Sequence, residues 1–289
     1  MSLPKAQLPT LHPQAPKSKL PENACDAHIH MLADDFPLWS QRVEDPQSGG
    51  LSDWLDRYAK HRAALGITRT VVVHSILYGS DNALTKAAVA ALGSNARGIG
   101  LVTDEGDEAD IDELLEARIM GVRLNYVHGG VLSWDGAKRF APMLKERGMH
   151  VQMLMQTDQH MIDLAQDVAA LPVPVCFDHI GWPDLSLGIT DPGFQALLKL
   201  VGEGQAYVKL SAPYRVCDAP YEAAAPFIDA LAKANPDHCL WGSDWPHIML
   251  GTAKQPDAGV LLNHFLDIVT TDDARQKILC EAPERLYGF

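Results

Sequence analysis

Short apolar runs alternate along the chain with longer segments in which apolar residues recur every three or four positions. The short runs are typical of strands buried on both faces, and the longer segments are typical of amphipathic helices. About eight strands are predicted, at Asn23–His28, Thr70–Ser75, Gly98–Val102, Gly121–Tyr126, His150–Met155, Pro174–His179, Ala206–Ser211 and Cys239–Asp244. Helices are predicted at Ser52–Gly66, Asn82–Leu92, Ile111–Arg118, Gly136–Arg147, Met161–Leu171, Phe194–Gly202, Ala223–Ala234 and within Gly259–Tyr287.

Strands that alternate with helices indicate parallel βαβ units in an α/β fold. Eight such units in 289 residues match a (β/α)8 TIM barrel. A doubly wound open sheet is the alternative, but no strand is followed by the Gly-rich turn that cradles a dinucleotide. We therefore predict a loose N-terminal arm over residues 1–23 and a single barrel domain over residues 24–289.

Composition narrows the functional classes. The chain is 47% hydrophobic and has a formal net charge of −13, which disfavours nucleic acid and anionic membrane as partners. An anionic substrate would therefore need local arginines. No run of about eighteen apolar residues predicts a membrane span. The five cysteines form an odd set without paired short spacings, which predicts a reducing, cytoplasmic setting.

Polar side chains collect where the predicted strands end, and there they are costly unless they are paired or meet a substrate. These residues are His28, His30, His74, Ser75, Arg123, Asn125, Asp178, His179, Ser211, Arg215, Asp244 and His247. His28 and His30 should share one face, because side chains alternate along a strand. Asp244 lies in a tight, aromatic-walled turn and is the strongest candidate for chemistry. His74 is better explained as a core histidine, and Arg215 is equally well explained as a loop cation.

The motifs His28-x-His30, Asp178-His179-Ile180-Gly181 and Gly242-Ser243-Asp244-Trp245-Pro246-His247 resemble those of the amidohydrolase superfamily, amidohydrolase-related family 2. Within it, the chain is similar to the branch of 2-pyrone-4,6-dicarboxylate lactonase and sugar-lactone hydrolases. The resemblance covers nearly the whole chain and includes Gly121-Val122-Arg123-Leu124-Asn125.

The resemblance implies hydrolysis of a carboxylated lactone. Asp244 would be the general base, with a pKa tuned toward the working pH by neighbouring histidines. His28, His30 and His179 would stabilise the oxyanion. Arg123 would bind the substrate carboxylate as a bidentate pair. The other residues predicted to contact the substrate are Asn125, Tyr126, Trp182, Arg215 and His247.

Two departures from the family pattern concern metal and substrate. Arg123 and Gln152 stand where binuclear relatives carry metal ligands, which disfavours a binuclear site. The dicarboxylate lactonase acts without metal, so the resemblance implies no metal cofactor; one zinc on His28, His30, Asp244 and His179 is the alternative. That lactonase has further arginines where this chain has His128-Gly129-Gly130 and Trp182. A substrate with fewer carboxylates or a more neutral ring is therefore expected.

Two other functions remain as alternatives, and the role of one long loop is undecided by the sequence. Metal-dependent decarboxylation of an aromatic acid is one alternative, and a barrel that only binds a carboxylated metabolite is the other. Loops as long as Met31–Gly50 are often functional, and its Trp39 and Phe36 are predicted to line the pocket, to meet another subunit or to pack in the core. The sequence carries no signal for oligomeric state.

Overall fold

Eight parallel strands lie side by side in chain order in the computed structural model, which describes residues 3–127 and 129–289. Strands β1–β8 span Cys25–Ile29, Arg69–Val73, Ala96–Gly100, Ile119–Asn125, His150–Leu154, Val175–Phe177, Ala206–Ser211 and Cys239–Gly242. The first and last strands also meet, because the amide of His30 donates to the carbonyl of Trp245 at 2.7 Å and that of Asp244 to His28 at 2.9 Å. The sheet closes into the predicted (β/α)8 barrel, and the open-sheet alternative is wrong.

Helices cover the outside of the barrel between successive strands. Helices α1–α10 span Leu51–Leu65, Ala83–Leu92, Glu108–Glu116, Trp134–Glu146, Ile162–Ala170, Pro192–Gly202, Ala225–Ala234, Ala258–Ile268, Asp272–Gln276 and Ala282–Tyr287. Several begin where a side-chain oxygen accepts from a first-turn amide, as at Asp107, Ser133, Asp191 and Asp257. The helix predicted from Ser52 begins one residue earlier and ends before Gly66, whose φ of 75° is left-handed.

Apolar side chains fill two regions. The larger lies between the strands and the surrounding helices. The second is the barrel interior, formed by Cys25, Ala27, Val71, Val73, Ile99, Cys176, Tyr207 and Leu240 with residues of α10. Helix α10 closes the interior at the amino ends of the strands, where the ring of Tyr287 packs 5.3 Å from that of His150. The carboxyl ends of the strands remain for chemistry, as in other barrels of this type.

Two long connections meet over the carboxyl ends of the strands. We call residues 31–50, between β1 and α1, the roof loop, and residues 243–257, between β8 and α8, the β8 loop. The amide of Met249 in the β8 loop donates to the Glu44 carboxylate of the roof loop at 2.6 Å. The two loops are thereby joined above the barrel.

The N-terminal arm lies against these loops. The amide of Ala6 donates to the carbonyl of Asp45 in the roof loop at 2.8 Å. Further along the arm, the amide of Gln14 donates to the Asp257 carboxylate at 3.1 Å. The arm, expected to be loose, is in the described residues bound to the barrel.

Two further features concern the cysteines and the helices. All five cysteines are free thiols. Among the described residues, none of the helices combines the length and the apolar character that a membrane span requires.

Candidate active site

Four side chains predicted from the sequence meet at the carboxyl ends of the strands. His28 is on β1, His30 follows it, and His179 and Asp244 come just after β6 and β8. The Nε2 atoms of His28 and His30 lie 3.6 and 3.4 Å from Asp244 Oδ1, and His179 Nε2 lies 3.8 Å from Oδ2. All four side chains are buried. The two histidines of the His-x-His motif therefore face one carboxylate, as predicted.

The backbone is left-handed at several non-glycine positions around this cluster. The φ angles of His179, Trp182 and Asp244 are 54°, 44° and 58°. Such conformations cost of the order of 1–3 kcal/mol each and persist where the surroundings fix them. Here the amide of Trp182 donates to the carbonyl of His179 at 2.7 Å, and that of His247 to Asp244 at 2.8 Å. This strain is an independent sign of a functional site.

Asp244 uses its two carboxylate oxygens differently. Oδ2 accepts hydrogen bonds from the Tyr214 hydroxyl at 2.5 Å and from Arg215 Nε and Nη2 at 3.0 and 2.8 Å. Oδ1 has no hydrogen-bond partner among the described residues. Burial alone would raise the pKa of Asp244, but the guanidinium of Arg215, followed by His179, holds it well below its usual value. The expectation of a pKa near the working pH is wrong: the carboxylate is ionised at neutral pH, with one oxygen free.

The contacts at Nδ1 fix the tautomer of a neutral His30 ring, whereas those of His28 allow both tautomers. His30 Nδ1 lies 2.9 Å from the carbonyl oxygen of Val73, which only accepts, so the neutral ring carries its proton on Nδ1 and Nε2 is an acceptor. His28 Nδ1 lies 3.3 Å from Lys209 Nζ, which only donates, and 3.2 Å from Asp178 Oδ1, which only accepts. The proton of the neutral His28 ring is on Nε2 when Nδ1 accepts from Lys209 and on Nδ1 when it donates to Asp178.

Burial keeps the rings of His28 and His179 uncharged. Loss of solvent, reinforced by the nearby Lys209 ammonium, lowers the pKa of His28 well below its usual value. Loss of solvent lowers the pKa of His179 to about 4 against the opposing influence of Asp244. His179 Nδ1 is 2.9 Å from the Ser211 hydroxyl, which can either donate or accept. Both rings are therefore neutral near pH 7.

A second buried carboxylate, Asp178, lies behind His28. Its Oδ1 is 3.2 Å from His28 Nδ1 and 3.4 Å from Lys209 Nζ, and its Oδ2 accepts from Gln152 Nε2 at 3.1 Å. Lys209 also donates to Gln152 Oε1 at 2.5 Å. Burial would raise the pKa of Asp178, but Lys209 and then His28 hold it well below its usual value. Sequence reasoning missed Lys209, although a lysine inside the apolar β7 run, two residues before Ser211, was a usable signal.

Two members of the cluster, His30 and His179, line a cavity of about 970 Å³, whereas His28 and Asp244 are not among its lining residues in the described part of the chain. Four of the six residues predicted to contact the substrate line this cavity: Arg123, Asn125, Trp182 and Arg215. Arg123 Nη1 donates to the carbonyl of His74 at 2.9 Å, and its Nη2 lies 3.7 Å from Asp178 Oδ2. Trp39 of the roof loop also lines the cavity, whereas Phe36 packs against the core. Tyr214 was missed as a site residue because loop geometry brings it in, whereas lining the pocket was one of the three positions left open for Trp39.

The other two predicted contacts, Tyr126 and His247, are absent from the cavity lining in the described part of the chain. The Tyr126 ring packs 4.9 Å from that of His160. His247 is buried, with Nε2 3.1 Å from the Ser243 carbonyl and Nδ1 3.0 Å from the Gln255 side chain. His128, predicted to stand where the dicarboxylate lactonase has an arginine, lies outside the described residues. His74 is bonded within the protein at both ring nitrogens, at 2.7 and 3.2 Å, as a core histidine would be.

The same residues fit one divalent cation. One donor atom from each of His28, His179 and Asp244 lies within 4.8 Å of the others. His28 Nε2 and Asp244 Oδ1 are buried without a hydrogen-bond partner among the described residues, as ligand atoms of an absent ion would be. Three protein ligands are enough for a catalytic zinc site.

A third carboxylate below the cluster gives a stability prediction. Asp26 accepts hydrogen bonds from the amides of Ser243 at 2.8 Å and His28 at 3.2 Å and from the Ser243 hydroxyl at 2.5 Å. Burial nevertheless raises its pKa from 3.8 to about 7. Because the pKa of Asp26 is higher in the folded protein than in the unfolded chain, its contribution to the free energy of unfolding is complete below pH 4. That contribution is lost as the pH rises to 7.

We therefore expect Asp26→Asn to become more stable relative to the wild type as the pH rises from 4 to 7. The change is at most about 1.4 kcal/mol per pH unit. Urea unfolding of both proteins at several pH values measures it, and a difference independent of pH would contradict the prediction.

Comparison with known proteins gives a consistent result. The family model described as Amidohydrolase matches residues 25–289. The 2-pyrone-4,6-dicarboxylate hydrolase of Comamonas testosteroni is 32% identical, over 96% of this chain and 93% of the relative. The 4-sulfomuconolactone hydrolase of Rhizobium radiobacter is 30% identical, over 93% and 91%. A ligand-free crystal structure from Agrobacterium tumefaciens has a TM-score of 0.84 at 23% identity, over 97% of this chain and 99% of that chain, and shows the same fold.

Proposed function

The chain belongs to the amidohydrolase family, and on that premise we propose that it hydrolyses the ester bond of a carboxylated lactone with Asp244 as general base. One observation carries the proposal: a buried, ionised carboxylate with one free oxygen faces three histidines, two of which, His30 and His179, line the same cavity as Arg123. The free oxygen is Oδ1, since Oδ2 is occupied by Tyr214 and Arg215.

Asp244 and His30 are the two acceptors available to the attacking water. Asp244 Oδ1 and His30 Nε2 lie 3.4 Å apart, and each can accept a hydrogen bond when the His30 ring is neutral. A water bound between them would give one proton to Asp244 as its oxygen attacks the lactone carbonyl. The proposal therefore moves His30 from the oxyanion, where the family resemblance put it, to the water.

His28 and His179 then stabilise the oxyanion. Nε2 of His28 carries a proton when Lys209 donates to Nδ1, and Nε2 of His179 does so when the Ser211 hydroxyl donates to its Nδ1. Two preorganised donors aimed at the developing oxyanion are commonly worth about 3 kcal/mol each. Asp244 then returns its proton to the ring oxygen as the ester bond breaks.

Arg123 binds the substrate carboxylate, whereas Arg215 orients the base. Arg123 lines the cavity, and its Nε has no partner among the described residues. Arg215 directs both Nε and Nη2 to Asp244. We therefore assign Arg215 to the catalytic carboxylate rather than to the substrate carboxylate it was predicted to help bind.

We further propose that catalysis needs no metal, although one ion fits. When bound by His28, His179 and Asp244, a divalent cation would activate water and polarise the carbonyl. Two contacts support the metal-free state: Arg215 already neutralises Asp244, and His28 Nε2 is protonated, and so not a ligand, whenever Lys209 donates to Nδ1. The five free thiols also support the predicted cytoplasmic setting.

Metal analysis of the purified protein, with lactone hydrolysis assayed before and after chelation, tests both proposals. We expect substoichiometric zinc and undiminished hydrolysis of a carboxylated lactone. Stoichiometric zinc with activity lost on chelation would overturn the metal-free mechanism but not the hydrolase. Failure of every preparation to open any carboxylated lactone would overturn the hydrolase itself.

A further inference from the structure

The cavity changes character from its base to its mouth. The base is polar and is formed by strand-end residues such as His30, Arg123 and His179. The walls above it are largely apolar and come from Leu154 at the end of β5 and from the connections that follow other strands, through Ile76, Leu132, Ile248 and Leu250. A ligand that fills the cavity therefore meets charge at one end and hydrocarbon along its length.

Apolar surface is also left uncovered at the mouth. Val43 of the roof loop is 58% exposed and Met249 of the β8 loop is 38% exposed, and both line the cavity. Because both side chains line the cavity, a ligand that fills it as far as its mouth covers them and removes their apolar surface from water.

Arg123 is the cation most available to a substrate carboxylate. Of the three arginines in the lining, Arg42 donates to the Asp45 carboxylate at 2.7 Å and to the Trp39 carbonyl at 2.9 Å. Arg215 is bound to Asp244. Arg123 pairs only at 3.7 Å with Asp178, and no acidic residue lines the cavity in the described part of the chain.

From these two features we infer that the substrate is a lactone with a single carboxylate and an apolar substituent, an aryl group or an alkyl chain of several carbons. The inference rests on the proposed lactone hydrolysis. The carboxylate lies on Arg123 beside the reacting ester, and the substituent runs up the apolar wall to Val43 and Met249. A cavity of 970 Å³ is at the upper end of the range for small-molecule sites and accommodates such a ligand.

A matched substrate series tests the inference. The probes are 2-pyrone-6-carboxylates with hydrogen, propyl or phenyl at C4, and 2-pyrone-4,6-dicarboxylate as the dicarboxylate probe. We expect kcat/KM for the propyl compound to exceed that of the unsubstituted one by about tenfold or more, because each buried methylene is worth about fourfold. A flat series, or a preference for the dicarboxylate, would overturn the inference while leaving the hydrolase in place.

Binding to Asp244→Asn, measured by calorimetry with the same four compounds, separates this inference from the proposed function. Affinity should follow the same order even if the wild type turns over none of them, an outcome that would refute only the hydrolase. Equal affinities for the hydrogen and propyl compounds would refute the apolar substituent.

A double variant with a matched control locates the effect. Val43→Thr with Met249→Gln keeps side-chain size but makes the mouth polar, and should reduce the propyl preference about fivefold. Leu187→Asn is the control, because Leu187 is 51% exposed yet absent from the described cavity lining. If the propyl preference falls equally in the double variant and in the Leu187→Asn control, or in neither, Val43 and Met249 do not contact the substituent.

Discussion

Replacing Asp244 with asparagine is expected to lower kcat for lactone hydrolysis by about a thousandfold while the barrel stays folded. The amide oxygen can still accept from Tyr214 and Arg215, so the side chain keeps its orientation. The NH₂ group then takes the place of Oδ1, the free oxygen, and cannot accept the proton of the attacking water. Single-turnover kinetics and thermal unfolding measure the two effects.

Tyr214→Phe is the matched control for this variant. It alters only the contact to Oδ2 and leaves Oδ1 facing the histidines, so kcat should fall by no more than about tenfold. Unchanged turnover in Asp244→Asn would remove the general base from the mechanism. Equal losses in both variants would mean that orientation of the carboxylate, not proton transfer, limits the rate.

The fold was predictable because its signals are local. Apolar runs such as Thr70–Ser75 and His150–Met155 coincide with β2 and β5 to within two residues at either end. Their alternation with helices requires parallel strands, and parallel strands bring their carboxyl ends to one face. The convergence of His28, His179 and Asp244 follows from that geometry without knowledge of any loop.

What decides each residue's role was not predictable, since it depends on contacts between distant segments. Tyr214 and Arg215 reach Asp244 because of the turn after β7, and this turn leaves Oδ1 rather than Oδ2 free. The left-handed φ at Asp244 carries no glycine signal in the sequence. The division of one carboxylate into a held oxygen and a reactive one is therefore a property of the tertiary structure.

The roof loop shows the same limit. Its length indicated a functional segment, and Trp39 does line the cavity. The sequence could not distinguish Trp39 from Phe36, which packs against the core, because both are aromatic residues in an irregular stretch. The contact that fixes Trp39 is the hydrogen bond that its backbone amide donates to the carbonyl of Leu77 at 2.8 Å. Leu77 lies 38 residues further along the chain.

Lys209→Met is expected to lower both stability and turnover. Removing one partner of a buried ion pair leaves Asp178 poorly compensated, which typically costs about 3–5 kcal/mol in the free energy of unfolding. Without the lysine, His28 Nδ1 is expected to donate to Asp178, 3.2 Å away, so that Nε2 becomes an acceptor. The oxyanion then loses a donor, and kcat should fall by about a hundredfold.

Zinc affinity distinguishes this role of Lys209 from simple charge balance. An unprotonated His28 Nε2 beside Asp244 Oδ1 is a better metal ligand than the nitrogen that is protonated when Lys209 donates to Nδ1, since ligating histidines must be deprotonated at the bound atom. Equilibrium dialysis should therefore show tighter zinc binding by folded Lys209→Met than by the wild type. If stability falls while the folded variant keeps wild-type kcat and zinc affinity, Lys209 only balances Asp178. If stability, kcat and zinc affinity all change, Lys209 has two roles. It orients the oxyanion donor His28, and it disfavours metal binding by His28, His179 and Asp244.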